Sequence, residues 1–294
     1  MSIEVVQSSL TAGGRTKGQS AWFNLQRDEL FCTLYVVGCA NGLLGRFIQA
    51  IHADSALASA LSVDINAIVF FACFAGLSMM FSSLGQSVGG QQIQKLDIAV
   101  AAIFLVLVAL PIYPLSWVAV TGLSVYVVLR ARDNSDRVRA AIILFALAVP
   151  MFWSRLLFQM FAKTILDIDA MLVATVLDSS RAGNMVRFVD GSGYMIVLAP
   201  CSSLANMSLA FLCWISISQW VRHRWSKIDL LWSGLACLSV VAVNVTRISL
   251  MGLGQSYYSA IHNQWGDLVT NTIMLMLMVM FSVIGARREI FARV

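Results

Sequence analysis

Charge is what this 294-residue chain has least of: 12% of its residues are Asp, Glu, Lys or Arg, against 59% hydrophobic ones. A soluble domain carries about 25% charged and about 45–50% apolar residues. That imbalance, with a mean hydropathy of +0.79, excludes an ordinary water-soluble domain and predicts a polytopic membrane protein. Basic patches interleaved with stacking aromatics are also missing, so nucleic acid is not expected as a partner despite the net charge of +5. The six cysteines show no Cys-x-x-Cys spacing and no His at metal-ligand intervals, so neither a metal nor a cofactor is expected. Residues 1–29 lack the apolar core and cleavage site of a signal peptide. They read as a polar cytoplasmic tail.

What the chain has in abundance is long apolar runs. A membrane span needs about 20 apolar residues. Eight stretches qualify as helices: 30–51, 63–83, 96–111, 114–130, 138–160, 201–221, 228–251 and 267–286. The expected fold is therefore all-α, one integral membrane domain over 30–286 with a short tail at 287–294. Basic residues set the orientation, because Lys and Arg are retained on the cytoplasmic side. With this threading one side receives 14 of the 20 Lys and Arg, among them Arg27, Lys95, Arg130, Arg137, Arg222, Lys227 and Arg287. Both termini fall on that side. The connection 161–200 is too long for a turn. Ile165, Ile168, Leu172 and Val176 recur in it at helical spacing, which predicts an amphipathic helix at the outer surface.

Three reactive side chains then converge. Arg247 is 20 residues beyond Lys227 in one helix, about 30 Å at 1.5 Å per residue, which reaches the outer interface. Cys201 starts a helix whose other end is Arg222, so it lies at the same level, and His262 sits in the outer loop just before the last span. Pro200 suits a first helical turn, placing Cys201 at a helix N-terminus where the dipole favours a thiolate. Arg247 would lower the thiol pKa further. Free N–H groups after Cys201 could receive an oxyanion, and His262 could return a proton to a departing amine. This is the pattern of Cys–His acyl transfer. Asn244 shares a helical face with Arg247, and Ser202 and Ser203 are possible supporting residues. His223, flanked by Arg222 and Arg224, falls on the opposite side and outside this group.

The run Tyr194-Met-Ile-Val-Leu-Ala-Pro-Cys201-Ser-Ser-Leu, then Asn244-Val-Thr-Arg247-Ile, then His262, resembles the exosortase/archaeosortase family of integral membrane cysteine transpeptidases. The likeness covers 138–286, while the earlier spans match in number and character alone. The family pattern is Cys-Ser-Gly, Asn-x-x-Arg and a downstream His; Ser203 stands where Gly is usual. The resemblance implies catalytic roles for Cys201, Arg247 and His262, at the outer face of a bacterial inner membrane. It implies substrates that are membrane-anchored proteins ending in a short motif (Pro-Glu-Pro in many members), a single span and an Arg-rich tail. Two other functions fit the same composition: a transporter or flippase for polysaccharide or lipid precursors, and a noncatalytic subunit of an envelope assembly complex.

Overall fold

Apolar runs separated by Pro, Gly and capping residues fold into successive helices. The computed structural model describes residues 26–53, 67–84, 92–131, 135–223 and 226–287. Of the tails expected at 1–29 and 287–294, residues 1–25 and 288–294 lie outside the described residues, as do 63–66 of the expected second span. The first five helices are α1 (Arg27–Ala53), α2 (Ala67–Leu84), α3 (Lys95–Ala109), α4 (Pro114–Arg130) and α5 (Asp136–Ala148). After a π-helical turn at Val149–Trp153 comes α6 (Ser154–Leu177), followed by strands β1 (Arg181–Ala182), β2 (Met185–Arg187) and β3 (Tyr194–Ile196). A 3-10 turn at Ala199–Cys201 leads to α7 (Ser203–Trp220), α8 (Lys227–Met251), α9 (Gln255–Ile261) and α10 (Gln264–Gly285).

Each of the eight expected spans overlaps a helix, with α1 starting at Arg27 and α7 at Ser203. Among the described residues, four helical stretches are long and apolar enough to cross a membrane: α2, the continuous Asp136–Leu177 stretch, α8 and α10. The chain is a predominantly helical membrane protein. One addition qualifies the all-α expectation. The segment leading to Cys201 forms a small antiparallel sheet of order β1-β2-β3.

Local chemistry explains the boundaries. Pro114 opens α4 at its first turn, where a missing N–H costs nothing. Gln94 and Asp97 form a capping box at α3, and Ser226 and Asp229 another at α8. Pro150 falls inside an otherwise continuous helix, which cannot keep its regular bond there and widens into the π turn. Phe161 then leaves helical geometry (φ −124°, ψ 21°) and kinks α6. The residues expected to form an independent surface helix after 160 are therefore the far part of α6. Beyond the kink, Asp169 reaches the start of α7 and Leu177 approaches Gly252 at the end of α8.

Burying one apolar side chain against another gains little over burying it in lipid, so polar contacts and close packing contribute disproportionately. Such contacts gather the first turns of α1, α3, α5 and α8 with the last turns of α4 and α7. Arg27 Nε donates to Asp97 at 3.0 Å, and Tyr126 Oη donates to the same carboxylate at 2.7 Å. Arg137 pairs with Asp28, and Arg222 with Asp136 at 2.5 Å. His223 Nε2 lies 2.8 Å from Asp229. His223 is thus built into this end of the bundle, away from Cys201. Two apolar clusters fill the interior. The larger joins α1–α5 to α7, α8 and α10 around Trp117, Leu144 and Trp214. The smaller joins α6, the sheet and the far end of α8 around Val173, Val186, Phe188, Val197 and Met251. Cys32, Cys39 and Cys213 are buried, and all six thiols are free.

Candidate functional site

The far ends of α7 and α8 meet opposite the ion-paired end. Cys201 closes the 3-10 turn, its N–H donating to Leu198 O at 2.9 Å. Ser202 rather than Cys201 is the N-cap of α7: its Oγ accepts from Leu204 N at 3.3 Å. The expected placement of the thiol at the helix N-terminus is corrected accordingly. Cys201 sits one residue before the cap, because the Ala-Pro-Cys segment closes as a separate tight turn.

Asn244 fixes that turn. From α8 its Nδ2 donates to Cys201 O at 2.7 Å and to Ser203 Oγ at 3.1 Å, and the side chain is buried. Asn244 therefore serves the Cys201 turn and is not bonded to Arg247. On the other side, Asp169 of α6, 3% exposed, accepts the Ser203 N–H at 3.1 Å. A charge-assisted bond to backbone N–H is among the stronger polar contacts. Ser203 thus takes up two partners through its N–H and Oγ, a role that glycine, lacking Oγ, could only half fill.

Arg247 lies one helical turn beyond Asn244 and pairs with Asp267 of α10. Its side chain is 14% exposed, while that of Asp267 is 54% exposed. Among the described residues, the buried Nε–H of Arg247 has no acceptor. Burial pushes the Cys201 thiol up from its ordinary value; the Arg247 guanidinium offsets part of this, and the Asp267 and Asp169 carboxylates push it up again. The expected lowering by Arg247 is present, but burial outweighs it.

His262 caps α9 and is exposed. Its ring stacks on Tyr258 at 5.0 Å between centroids, and Tyr258 meets Phe188 edge-on at 6.4 Å. Tyr258 and Cys201 pack against the same small apolar cluster. Among the described residues, no hydrogen bond or ion pair joins His262 to Cys201 or Arg247. The structure therefore ties Cys201, Ser203, Asn244 and Asp169 by direct bonds and Arg247 to Asp267. His262 stands on the rim.

Sequence reasoning missed Asp169 and Asp267 as members of this group. Asp169 carried a usable signal, being an acidic residue on the apolar face of an amphipathic helix. Asp267 carried none beyond its place at the start of the last span. Among the described residues, no group of His, Cys, Asp and Glu could hold a metal ion. A separate cavity of about 280 Å³ opens between α1, the α3–α4 turn and the π turn, lined by Tyr113, Trp117, Phe152, Arg155 and Gln159 among others. Comparison with protein-family models, curated proteins and solved structures finds no match to this chain.

Proposed function

We propose that this chain is a membrane cysteine transpeptidase or peptidase of the exosortase type, which cuts C-terminal sorting signals of exported proteins at the outer face of a bacterial inner membrane. The observation that carries this reading is the grip of Asn244 on the Cys201 turn, with Arg247 one turn further along and its Nε–H buried without an acceptor. Among the described residues the Nε–H of Arg137 at the ion-paired end is likewise buried without an acceptor, so what supports the reading is the place of Arg247 beside the Cys201 turn. Eight spans with both termini cytoplasmic belong to the same reading, the ion-paired end facing the cytoplasm.

The chemistry begins with removal of the thiol proton. His262 accepts the Cys201 proton as the sulfur attacks a peptide carbonyl carbon, forming the C–S bond and moving the carbonyl electron pair onto oxygen. Arg247 donates to that oxygen. Collapse of the adduct breaks the C–N bond, and the leaving amine takes its proton from His262. The thioester on Cys201 is then attacked by an external hydroxyl, amine or water, which restores the thiol. The partners are proteins that end in a short motif, one transmembrane helix and an Arg-rich tail, held in the same bilayer. That tail keeps the substrate's motif at the outer face.

Replacing Cys201 with Ala tests the proposal. Processing stops and full-length precursor accumulates, and a thiol-reactive substrate analogue labels the wild-type protein at Cys201 alone. A transporter or flippase, for which the Arg155-lined cavity would be the natural site, retains its activity in Cys201→Ala. A noncatalytic assembly subunit gives no trapped adduct even with its partners present.

A further inference from the structure

Strand β3 is an edge of the sheet, and it runs directly into the Cys201 turn. Its inward pairing is set by two bonds, Val197 N to Asn184 O at 2.9 Å and Phe188 N to Gly193 O at 3.0 Å, with Met195 opposite Val186 between them. In an antiparallel ladder the bonded positions alternate. Gly193, Met195 and Val197 therefore direct their backbone groups at β2, and Tyr194 and Ile196 direct theirs outward. Among the described residues, the N–H and C=O of Tyr194 and Ile196 have no hydrogen-bond partner. Met195 and Val197 are buried in the small apolar cluster, whereas Tyr194 and Ile196 are 56% and 50% exposed.

An unpaired edge is a template for another extended chain, and natural proteins usually blunt it with charge, Pro or a covering element. β3 carries neither charge nor Pro. Arg187 of β2 stands directly across from Tyr194 on the same exposed face, and among the described residues it has no acidic partner. Ile196 precedes Cys201 by five residues, so a chain paired with it comes alongside the thiol within about five residues at ~3.3 Å each.

We infer that the open edge of β3 is a substrate-binding strand: an extended peptide segment bearing acidic side chains adds to the sheet there and is led to Cys201. This rests on the cysteine-transpeptidase reading and deepens it by naming how the substrate backbone is held. Main-chain bonds supply affinity in such strand addition, and alternate side chains supply specificity. A peptide residue whose N–H and C=O bond to Tyr194 or Ile196 presents its side chain on the exposed face, toward Arg187.

The test uses full-length protein in nanodiscs and a fluorescent acetyl-(Val-Glu)4-amide peptide, with binding read by anisotropy. N-methylation of the Glu amides removes the N–H groups that face β3 and weakens binding about tenfold or more, while N-methylation of the Val amides leaves it within about twofold. Ile196→Pro weakens binding similarly, because that N–H points away from β2 and its loss spares the sheet. Arg187→Glu moves preference to acetyl-(Val-Lys)4-amide. Equal effects of the two methylation patterns, unchanged binding in Ile196→Pro, or equal adsorption to empty nanodiscs overturns the inference. All arms are repeated in Cys201→Ala. If precursor processing survives that substitution while the methylation pattern holds, the cysteine chemistry falls and the strand site stands. If processing needs Cys201 but both patterns bind alike, the strand site alone falls.

Discussion

At one end of the bundle Asp97, fully buried, accepts from Arg27 and Tyr126, and Asp229, also buried, faces His223. At the other end the acidic partner of Arg247 is Asp267, more than half exposed, and His262 stacks on Tyr258 at the surface. Both ends spend scarce charge. The first closes Arg27, Asp97, His223 and Asp229 inside, with the Arg222–Asp136 pair alone of those named left half open, and the second leaves Asp267 and His262 at the surface. Pairing inside low dielectric holds helices in register, since breaking one partner strands a charge. A half-open pair contributes little to stability and leaves its arginine able to exchange acceptors. The difference separates a closed end from a more open one.

The comparison can be broken most sharply at Asp97. Asp97→Ala leaves Arg27 and Tyr126 without their carboxylate and is expected to destabilise the protein by about 3–5 kcal/mol, read by thermal or denaturant unfolding in detergent. Processing should fall only in proportion to the folded fraction. Asn244→Ala should cost less, about 1–3 kcal/mol for the orphaned Cys201 carbonyl and Ser203 hydroxyl, yet abolish processing in protein that remains folded. Equal ratios of activity loss to stability loss at Asp97 and Asn244 would erase the distinction between the two ends.

A third test reads the thiol itself. Only thiolate is alkylated, and burial raises the Cys201 pKa, so its reaction with a neutral alkylating reagent should climb through alkaline pH with a midpoint above the usual ~8.5. Arg247→Gln removes the one charge that pulls the pKa down and should move the midpoint higher. Asp267→Asn removes a charge that pushes it up and should move the midpoint lower. Shifts in the opposite sense would mean that these groups do not face the sulfur. The smallest expected effect is on stability in Asp267→Asn, about 1 kcal/mol or less because the pair is half exposed. A loss comparable to that of Asp97→Ala would make the Arg247 end structural as well.

Much of this was legible before any coordinates. Apolar runs announced the helices because a bilayer demands about 20 residues per crossing, and counting along 228–251 and 201–221 brought Arg247 and Cys201 to one level. The π turn at Pro150 went unread within the span 138–160, and nothing in the periodicity showed that the helix would continue past it to Leu177. The sheet was hidden because its strands are two or three residues long and embedded in turns, too short for alternation to stand out. The placement of Cys201 outside the α7 cap was hidden for a related reason. Pro200 suits a 3-10 turn as well as a helix start, and the choice between them is made by Asn244 and Asp169 from elsewhere in the chain.

By itself the amino-acid order determined the helical membrane character, the position of the apolar helices and the arrival of thiol and guanidinium at one end of the bundle, because these follow from hydropathy and a constant rise per residue. Only the tertiary structure decided which polar groups hold the Cys201 turn, which acid Arg247 meets and which strand edge is left open. The first two depend on contacts between residues 20 to 43 positions apart and the last on strands of two or three residues, and no local periodicity encodes them.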